Sequence, residues 1–281
     1  MHPIFIRFGP LDIHTYGVLV AIGFIVGLAV AGRRARSEGI SADQISDLGV
    51  WLIVAGMLGG KLFHIIFFWD DFIAGWHADG VRSLREGFVF YGGFILATVT
   101  AVVYARLKRL PLPKLLDVFA PSIALGHAFG RMGCFFNGCC YGKVCSDGFP
   151  LGVRFPAIFD ATGRPIGSAP FLDHLQHKLV KISASASLPV HPTEIYEALG
   201  NLAIFGGLSL FYRHKRFDGQ VWWLYVLSYG ALRLGVEFFR GDYYTFYFGV
   251  LTIGQIVAIT MIAVASLALW LSPKTVKLRT A

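Results

Sequence analysis

The chain has 281 residues, of which 55% are hydrophobic, 15% aromatic and only 15% charged, and its mean hydropathy is +0.61. So little charge does not suffice to cover a water-soluble protein of this size, and the composition therefore predicts a protein of the lipid bilayer. The net charge of +8 does not call for nucleic acid as a partner, because basic loops beside anionic lipid headgroups explain it.

Seven apolar stretches are long enough to cross a hydrocarbon core of ~30 Å as helices. In chain order they cover residues 11–32, 45–68, 88–105, 115–133, 192–212, 219–238 and 251–271. Residues 1–10 lack the basic opening and the small-residue cleavage site of a secretory signal, so the first span is expected to stay in the mature protein. The predicted fold is an all-α polytopic membrane protein, with residues 1–281 forming a single membrane domain.

The distribution of lysine and arginine predicts the orientation of these spans, because cationic loops resist translocation. Alternate loops and the C-terminal tail are basic, which places them in the cytoplasm and the N-terminus outside. The residues concerned are Arg33, Arg34, Arg36, Arg106, Lys108, Arg109, Lys114, Arg213, Lys215, Arg216, Lys274, Lys277 and Arg279.

The longest outward segment, residues 134–190, is predicted to form a small α+β periplasmic head. Within it, "LGVRFPAIFDATGRPIG" at 151–167 has the alternation and turn residues of a β-hairpin. "FLDHLQHKLVKI" at 171–182 has leucines at helical spacing, which indicates an amphipathic helix on the membrane surface or packed against the head. "SASAS" at 183–187 is typical of a flexible link into the fifth span.

Strongly polar side chains inside a span cost several kcal/mol, so they are either paired or functional. Given the predicted orientation, six spans carry such groups in the outer third of the membrane. They are Tyr16, Lys61, His64, Tyr91, Arg131, His191, Glu194, Tyr196, Glu197, Tyr229, Arg233, Glu237 and Arg240. This bias in depth indicates a common site.

Tyr229, Arg233 and Glu237 are spaced i, i+4, i+8 and therefore share one face of the sixth span. They form either an internal Arg233–Glu237 pair that helps the helix pack or the lining of a cavity. Arg131 ends the fourth span, where it is either a phosphate ligand or an arginine that extends to the membrane interface.

The stretch "GRMGCFFNGCCYG" at 130–142 combines glycines with three of the four cysteines. Its glycines, and those of "YGG" at 91–93, are expected to let backbone approach an anionic headgroup closely or simply to pack helices. The cysteine spacing, C-x4-C-C-x4-C, is compatible with one or two structural disulfides, with buried free thiols, or with zinc or redox chemistry. The absence of a C-x2-C pair argues against a finger-type metal site.

These elements resemble the motifs of the prolipoprotein diacylglyceryl transferase family, in the same order and across nearly the whole chain. "GRMGCFFNGCCYG" is similar to the family's G-R-x-G-N-F-x-N-x-E-x-x-G signature, and "FYGG" is similar to its F-H-G-G element. The other similar stretches are "IHTYGVLVAIGF", "GVRFP", "HPTEIYEA" and "YGALRLGVEFFR".

The resemblance implies an enzyme of the bacterial inner membrane with its active site toward the periplasm. Such an enzyme moves the diacylglyceryl group of phosphatidylglycerol onto the lipobox cysteine thiol of a prolipoprotein, which forms a thioether and releases glycerol phosphate. The implied partners are phosphatidylglycerol, the lipobox peptide and membrane lipids, without nucleic acid. No cofactor and no metal ion are implied.

The resemblance also assigns roles to individual residues. The implied catalytic residues are Arg233, Tyr91, Glu237 and Tyr16. The implied phosphatidylglycerol-binding residues are Arg131, Asn137, Gly142 and Tyr229.

The chain departs from the family pattern at three positions. Cys134 stands where the signature has asparagine, Cys139 where it has glutamate, and Tyr91 where many members have histidine. A tyrosine of ordinary pKa, ~10, is a poor base at neutral pH, so Tyr91 is expected to position a group or relay a proton.

Three alternatives remain open at the level of the sequence. External cysteines beside a cationic pocket are also compatible with a membrane thiol oxidoreductase that passes electrons to a quinone. A lipid or anion transporter would need polar groups through the full bilayer depth, which the inner halves of these spans lack. The departures at Cys134 and Cys139 are compatible with a divergent paralogue with altered lipid or acceptor choice.

Overall fold

The structure is a computed structural model that describes residues 3–8, 11–85, 87–160, 162–242, 247 and 250–272. Across these residues the chain is mostly helical, with four short strands. The helices are α1 Thr15–Ser37, α2 Ala42–Phe67, α3 Trp69–Asp79, α4 Phe90–Leu107, α5 Leu112–Asn137, α6 Ala169–Gln176, α7 Thr193–Phe211, α8 Gln220–Glu237 and α9 Ile253–Leu271. The strands are β1 Ile4–Phe8, β2 Leu11–His14, β3 Ile158–Phe159 and β4 Pro165–Gly167.

Helical segments that are long and apolar enough to cross a membrane occur five times in the described part of the chain, as expected for a polytopic membrane protein. They are Thr15–Ser37, Ala42–Phe67, Phe90–Leu107, Thr193–His214 and Ile253–Leu271. The predicted fourth and sixth spans are also helices, α5 and α8, but they fall outside this group. Both carry charged side chains of the site described below, and those side chains lower their mean hydropathy.

The N-terminal end of the chain differs from the prediction, and the C-terminal tail lies outside the described residues. The first long helix begins at Thr15 and not at residue 11, because Leu11–His14 forms β2 and pairs antiparallel with β1. Arg7 and Asp12 face each other in that register and form an ion pair of 3.2 Å. The basic tail with Lys274, Lys277 and Arg279 lies outside the described residues.

The described chain divides into two compact units. The first comprises Met1–Gly27 and Phe119–Ala281, and the second comprises Leu28–Val118. Both α1 and α5 therefore contribute residues to each unit.

In the second unit, α2 packs along α4 through backbone contacts at glycines. A Cβ atom added at Gly92 would lie 2.4 Å from the Gly59 carbonyl oxygen, and one at Gly93 would lie 2.7 Å from that of Gly56. No side chain larger than hydrogen fits there without movement. The glycines of "YGG" thus serve helix packing here, and the expected approach to an anion is not what the structure assigns to them.

In the first unit, α5, α7 and α8 share a core, and α9 packs on α8. Ala120 and Ala124 of α5 contact Leu208 of α7 and Tyr225 of α8, all of them buried. The small alanines let the larger side chains of the neighbouring helices fill the space between the backbones. This core fixes the rotation of each helix about its own axis, and so decides which polar side chains meet.

The segment between α5 and α7 contains a short hairpin and a short helix. β3 and β4 pair antiparallel, so the hairpin covers 158–167, a shorter range than the predicted 151–167. α6 ends at Gln176, before the last predicted apolar positions, and its Phe171 and His174 are buried. Of the two placements expected for this helix, the contacts of Phe171 with Phe159 and of His174 with Tyr141 support packing against other residues of the 134–190 segment.

The "SASAS" segment is not a flexible link in the structure. Ser187 is fully buried, and its hydroxyl accepts a hydrogen bond of 3.0 Å from the Phe155 N–H. The Ala157 N–H donates to the Ser185 carbonyl oxygen, 2.9 Å away. The segment pairs edge to edge with residues 155–157, a contact that composition alone does not reveal.

Candidate active site

The polar side chains of the first unit gather around one buried carboxylate, that of Glu197 on α7. Its side chain is 1% exposed. Arg131 Nη2 of α5 lies 3.0 Å from Oε1, and Arg233 Nη1 of α8 lies 3.4 Å from Oε2. The Tyr229 hydroxyl donates to Oε1 at 3.1 Å. Three helices thus place two guanidinium groups on the two oxygens of a single carboxylate.

His127 belongs to the same cluster. Its Nε2 atom lies 3.5 Å from Glu197 Oε1 and accepts a hydrogen bond of 3.3 Å from Arg131 Nε. His127 and Arg131 are four residues apart on α5, so one helix face presents both groups. The His127 ring also packs on the Tyr229 ring, with centroids 4.9 Å apart.

A second carboxylate, Glu237, extends the cluster along α8. Arg233 Nη2 lies 2.7 Å from Glu237 Oε2, in an i, i+4 pair, and Thr252 before α9 donates its hydroxyl to Oε1. Arg233 therefore bridges two buried carboxylates. The Arg233–Glu237 pair within α8, which the sequence allowed as a purely structural role, is present. Arg233 also contacts Glu197 on the neighbouring helix α7.

Backbone hydrogen bonds explain why the polar ends of α5, α7 and α8 come together. The Gly142 N–H donates to the His191 carbonyl oxygen just before α7, at 2.9 Å, and the Lys143 N–H donates to the Phe239 carbonyl oxygen just after α8, at 2.7 Å. One short stretch after α5 is thereby paired on both sides. The end of α5, the start of α7 and the end of α8 are tied into one region.

Gly142 has a structural reason to be glycine in this crossing. A Cβ atom there would lie 2.5 Å from the His191 carbonyl oxygen and 2.7 Å from that of Phe239. The space that a side chain would need at Gly142 is occupied by backbone atoms of this chain, so only glycine fits there. The predicted contact of Gly142 with lipid stays a prediction.

The remaining predicted residues of the first unit lie next to the cluster. Tyr16, in the first turn of α1, packs against Gly133, where a Cβ atom would come within 2.9 Å of its ring. It is close enough to Arg131 for electrostatic interaction. Asn137 ends α5, and its amide hydrogen-bonds the Cys139 sulfur.

Tyr91 lies on α4, which belongs to the second unit. It is 64% exposed, and its ring contacts Phe90. Its role as a positioning or proton-relay residue stays a prediction.

The four cysteines are free thiols, so the disulfides considered from the sequence do not form. The Sγ atoms of Cys134, Cys139 and Cys140 lie within 4.8 Å of one another. Hydrogen bonds from the other two thiols lower the pKa of the Cys140 thiol, and the nearby Arg240 and Arg131 guanidiniums act in the same direction.

Sequence reasoning recognised Arg131, Tyr229, Arg233 and Glu237 but gave Glu197 no role and did not consider His127. The available signal for Glu197 was a carboxylate one turn inside a span, where an unpaired charge is costly. His127 had the i, i+4 spacing to Arg131. Neither pattern shows that His127 and Glu197 meet, because the two residues lie on different helices, α5 and α7.

Comparisons with known proteins are consistent across the chain. A family model described as Prolipoprotein diacylglyceryl transferase matches residues 3–271. Three similar proteins share the name Phosphatidylglycerol--prolipoprotein diacylglyceryl transferase. The protein from Finegoldia magna is 34% identical over 254 residues, which cover 90% of this chain and 88% of the relative. The Clostridium tetani protein is 32% identical over 86% of both chains, and the Nostoc protein is 28% identical over 96% of this chain and 89% of its own.

Proposed function

The chain belongs to the prolipoprotein diacylglyceryl transferase family, and on this premise we propose that it transfers the diacylglyceryl group of phosphatidylglycerol to the lipobox cysteine of prolipoproteins. In this reaction the cysteine sulfur forms a bond with the carbon of the diacylglyceryl group that carries the phosphate ester. The bond from that carbon to the ester oxygen breaks, and glycerol phosphate leaves with the electron pair. The thiol proton passes to an acceptor.

The observation that supports this proposal is the pair of guanidinium groups on Glu197. Arg131 Nη2 and Arg233 Nη1 lie 3.0 and 3.4 Å from its two oxygens, although they belong to different helices. Arg131 uses Nη2 for Glu197 and Nε for His127, so among the described residues three of its five N–H donors are left for a ligand. A phosphate diester matches such a planar, permanently charged donor.

The burial of each charged side chain indicates its role in the proposed site. Glu197, fully buried, holds both arginines in place, and Glu237 holds the other side of Arg233. Arg131 and Arg233 retain 15% and 11% side-chain exposure and are the groups that contact the headgroup phosphate. As the ester bond breaks, they stabilise the negative charge on the leaving glycerol phosphate, where preorganised donors have their largest effect.

The other assigned residues complete the site in this proposal. Tyr229, Asn137 and Gly142 position the phosphatidylglycerol headgroup together with Arg131. Arg233, Glu237 and Tyr16 act in catalysis, and Tyr91 takes part in moving the thiol proton.

We further propose a membrane arrangement that agrees with this chemistry. All seven predicted stretches span the bacterial inner membrane as one domain, with the N-terminus outside and residues 134–190 as a periplasmic head. The five apolar helices support the membrane location, and the charges on α5 and α8 account for the lower hydropathy of the other two. Lipobox peptides would then meet phosphatidylglycerol at the outer leaflet.

A transfer assay with the purified full chain tests the proposal. The protein in detergent is incubated with phosphatidylglycerol and a lipobox peptide, and mass spectrometry follows the diacylglyceryl increment on the peptide. Arg131→Ala is expected to lower the rate by at least about 100-fold, and Arg131→Lys to restore only part of it, because lysine lacks the planar fork.

Arg154→Ala is the matched control, since Arg154 is half exposed and pairs with Asp147 at 2.7 Å in the head. It is expected to keep the wild-type rate. Absence of the increment with wild-type protein would overturn the proposal. So would a redox activity that is lost in a cysteine-free variant and kept in Arg131→Ala.

A further inference from the structure

At the end of α5, three cysteine side chains converge although their sequence spacing is not that of a common metal motif. The Sγ atoms of Cys134, Cys139 and Cys140 lie within 4.8 Å of one another, and each residue is partly buried. We propose that these three thiols bind a thiophilic closed-shell metal ion, Zn²⁺ or Cu⁺. The proposal is independent of the transferase function.

The end of α5 brings the first two sulfurs together. Gly138 has a left-handed backbone with φ of 71°, its N–H donates to the Phe135 carbonyl oxygen at 3.2 Å, and the Cys139 N–H donates to the Cys134 carbonyl oxygen at 3.2 Å. These two bonds define a Schellman motif, in which the side chains of the residues at the positions of Cys134 and Cys139 contact each other. The C-x4-C spacing is thus what this helix end requires.

The third sulfur belongs to Cys140, a second residue with a left-handed backbone, whose position is fixed by a hydrogen bond from another helix. Cys140 has a φ of 67°, which turns the chain back toward the helix end. Its carbonyl oxygen accepts a hydrogen bond of 2.8 Å from the Thr193 hydroxyl at the start of α7. The three thiols therefore lie on a backbone that is fixed before any ligand arrives.

The spacing suits a metal ion. Thiolates at the usual metal–sulfur distance of ~2.3 Å lie about 3.8 Å apart around one ion. The observed upper limit of 4.8 Å therefore needs a contraction of about 1 Å, which rotation of cysteine side chains supplies. Soft thiolate ligands favour Zn²⁺ and Cu⁺ over Mg²⁺ or Ca²⁺.

The surrounding charges also favour a cation held by thiolates. Arg131 and Arg240 interact electrostatically with Cys140 and would offset part of the excess negative charge of three thiolates, the rest of their charge being compensated by Glu197 and Asp242. The Glu194 residue is 1% exposed, no described side chain hydrogen-bonds its carboxylate, and the carboxylate also interacts electrostatically with Cys140. A bound cation would lower the cost of burying that carboxylate.

The test uses the full chain purified in detergent with a phosphine reductant, and Zn²⁺ and Cu⁺ as separate probes. After desalting, elemental mass spectrometry is expected to find about one equivalent of at least one of the two ions per chain. Cys134→Ser, Cys139→Ser and Cys140→Ser are each expected to lower retention at least about tenfold. Cys145→Ser, which changes the one cysteine outside the cluster, is the matched control and is expected to keep it.

A second measurement needs no variant and so does not depend on variant folding. Bound metal is expected to slow alkylation of Cys134, Cys139 and Cys140 in the wild-type chain, resolved by peptide mass spectrometry, while Cys145 reacts at an unchanged rate. Retention of neither ion above the level of the triple serine variant would overturn the proposal. Equal protection of all four thiols, or of none, would overturn it as well.

Discussion

The two units bury helix interfaces of opposite character. In the second, α2 and α4 approach through glycines, and the contact at Gly59 and Gly92 is backbone against backbone. In the first, α5, α7 and α8 meet around Glu197 and two arginines. Close packing of small residues suffices to hold membrane helices together. The charged cluster is therefore not required for packing alone, and this difference is a reason for proposing the active site there.

Removing the central charge is expected to have the largest effect. Glu197→Gln keeps the size of the side chain but leaves Arg131 and Arg233 without their shared counter-ion. Loss of one partner of a buried ion pair destabilises by ~3–5 kcal/mol. Detergent-induced unfolding should show this loss. Peptide transfer should fall by at least about 100-fold, because Arg131 loses its carboxylate partner and Arg233 retains one of its two, Glu237.

Glu194→Gln is the matched control for that experiment. Glu194 is equally buried on the same helix, but no described side chain hydrogen-bonds its carboxylate. Neutralising it is expected to leave stability unchanged or increased. If Glu197→Gln and Glu194→Gln lost the same stability, the ion pairs of Glu197 would not be what holds the interface of α5, α7 and α8. The contrast with the glycine interface of α2 and α4 would then be wrong.

The glycine interface of the second unit gives a smaller expected effect. Gly92→Ala places a methyl group 2.4 Å from the Gly59 carbonyl oxygen and from the Phe63 side chain. Such overpacking costs ~1–3 kcal/mol, measured as a lower midpoint of detergent-induced unfolding.

Gly56→Ala, on the facing helix, separates packing from helix propensity. A Cβ atom at Gly56 meets nothing within 4 Å, and alanine favours a helix over glycine by ~1 kcal/mol. This variant is expected to be at least as stable as wild type. An unchanged midpoint for Gly92→Ala would show that α2 and α4 separate without cost.

The smallest expected effect concerns pH and the head. His174 is 2% exposed, and its Nδ1 atom accepts the Leu188 N–H at 3.2 Å. Burial lowers the pKa of His174 below the ordinary value near 6.5. The unfolded chain then binds more protons than the folded chain, so the stabilisation is complete above about pH 6.5 and is lost as pH falls toward the folded pKa.

Unfolding midpoints measured between about pH 7.5 and about pH 5 check this prediction, since one proton gives a slope of at most about 1.4 kcal/mol per pH unit. His174→Gln should flatten the slope in that window. A slope equal to that of wild type would assign the pH dependence to other groups.

Much of the architecture was predictable because it depends on local properties. Each predicted apolar stretch contains a long helix, and the shared face of Tyr229, Arg233 and Glu237 follows from helical periodicity alone. The paired strand before α1 was missed because Leu11 and Ile13 were counted into the first apolar stretch, although Asp12 and His14 alternate with them. The pairing of "SASAS" was missed because its partner is about thirty residues away in the chain.

The sequence by itself determined the membrane class, the family motifs and the residue types available to a phosphate site. Only the tertiary structure decided that Glu197 lies between Arg131 and Arg233, that His127 joins them, and that three thiols converge after α5. Composition and periodicity are properties of single segments. The partner of a buried charge depends on the depth and rotation of neighbouring helices, which packing of the whole unit sets.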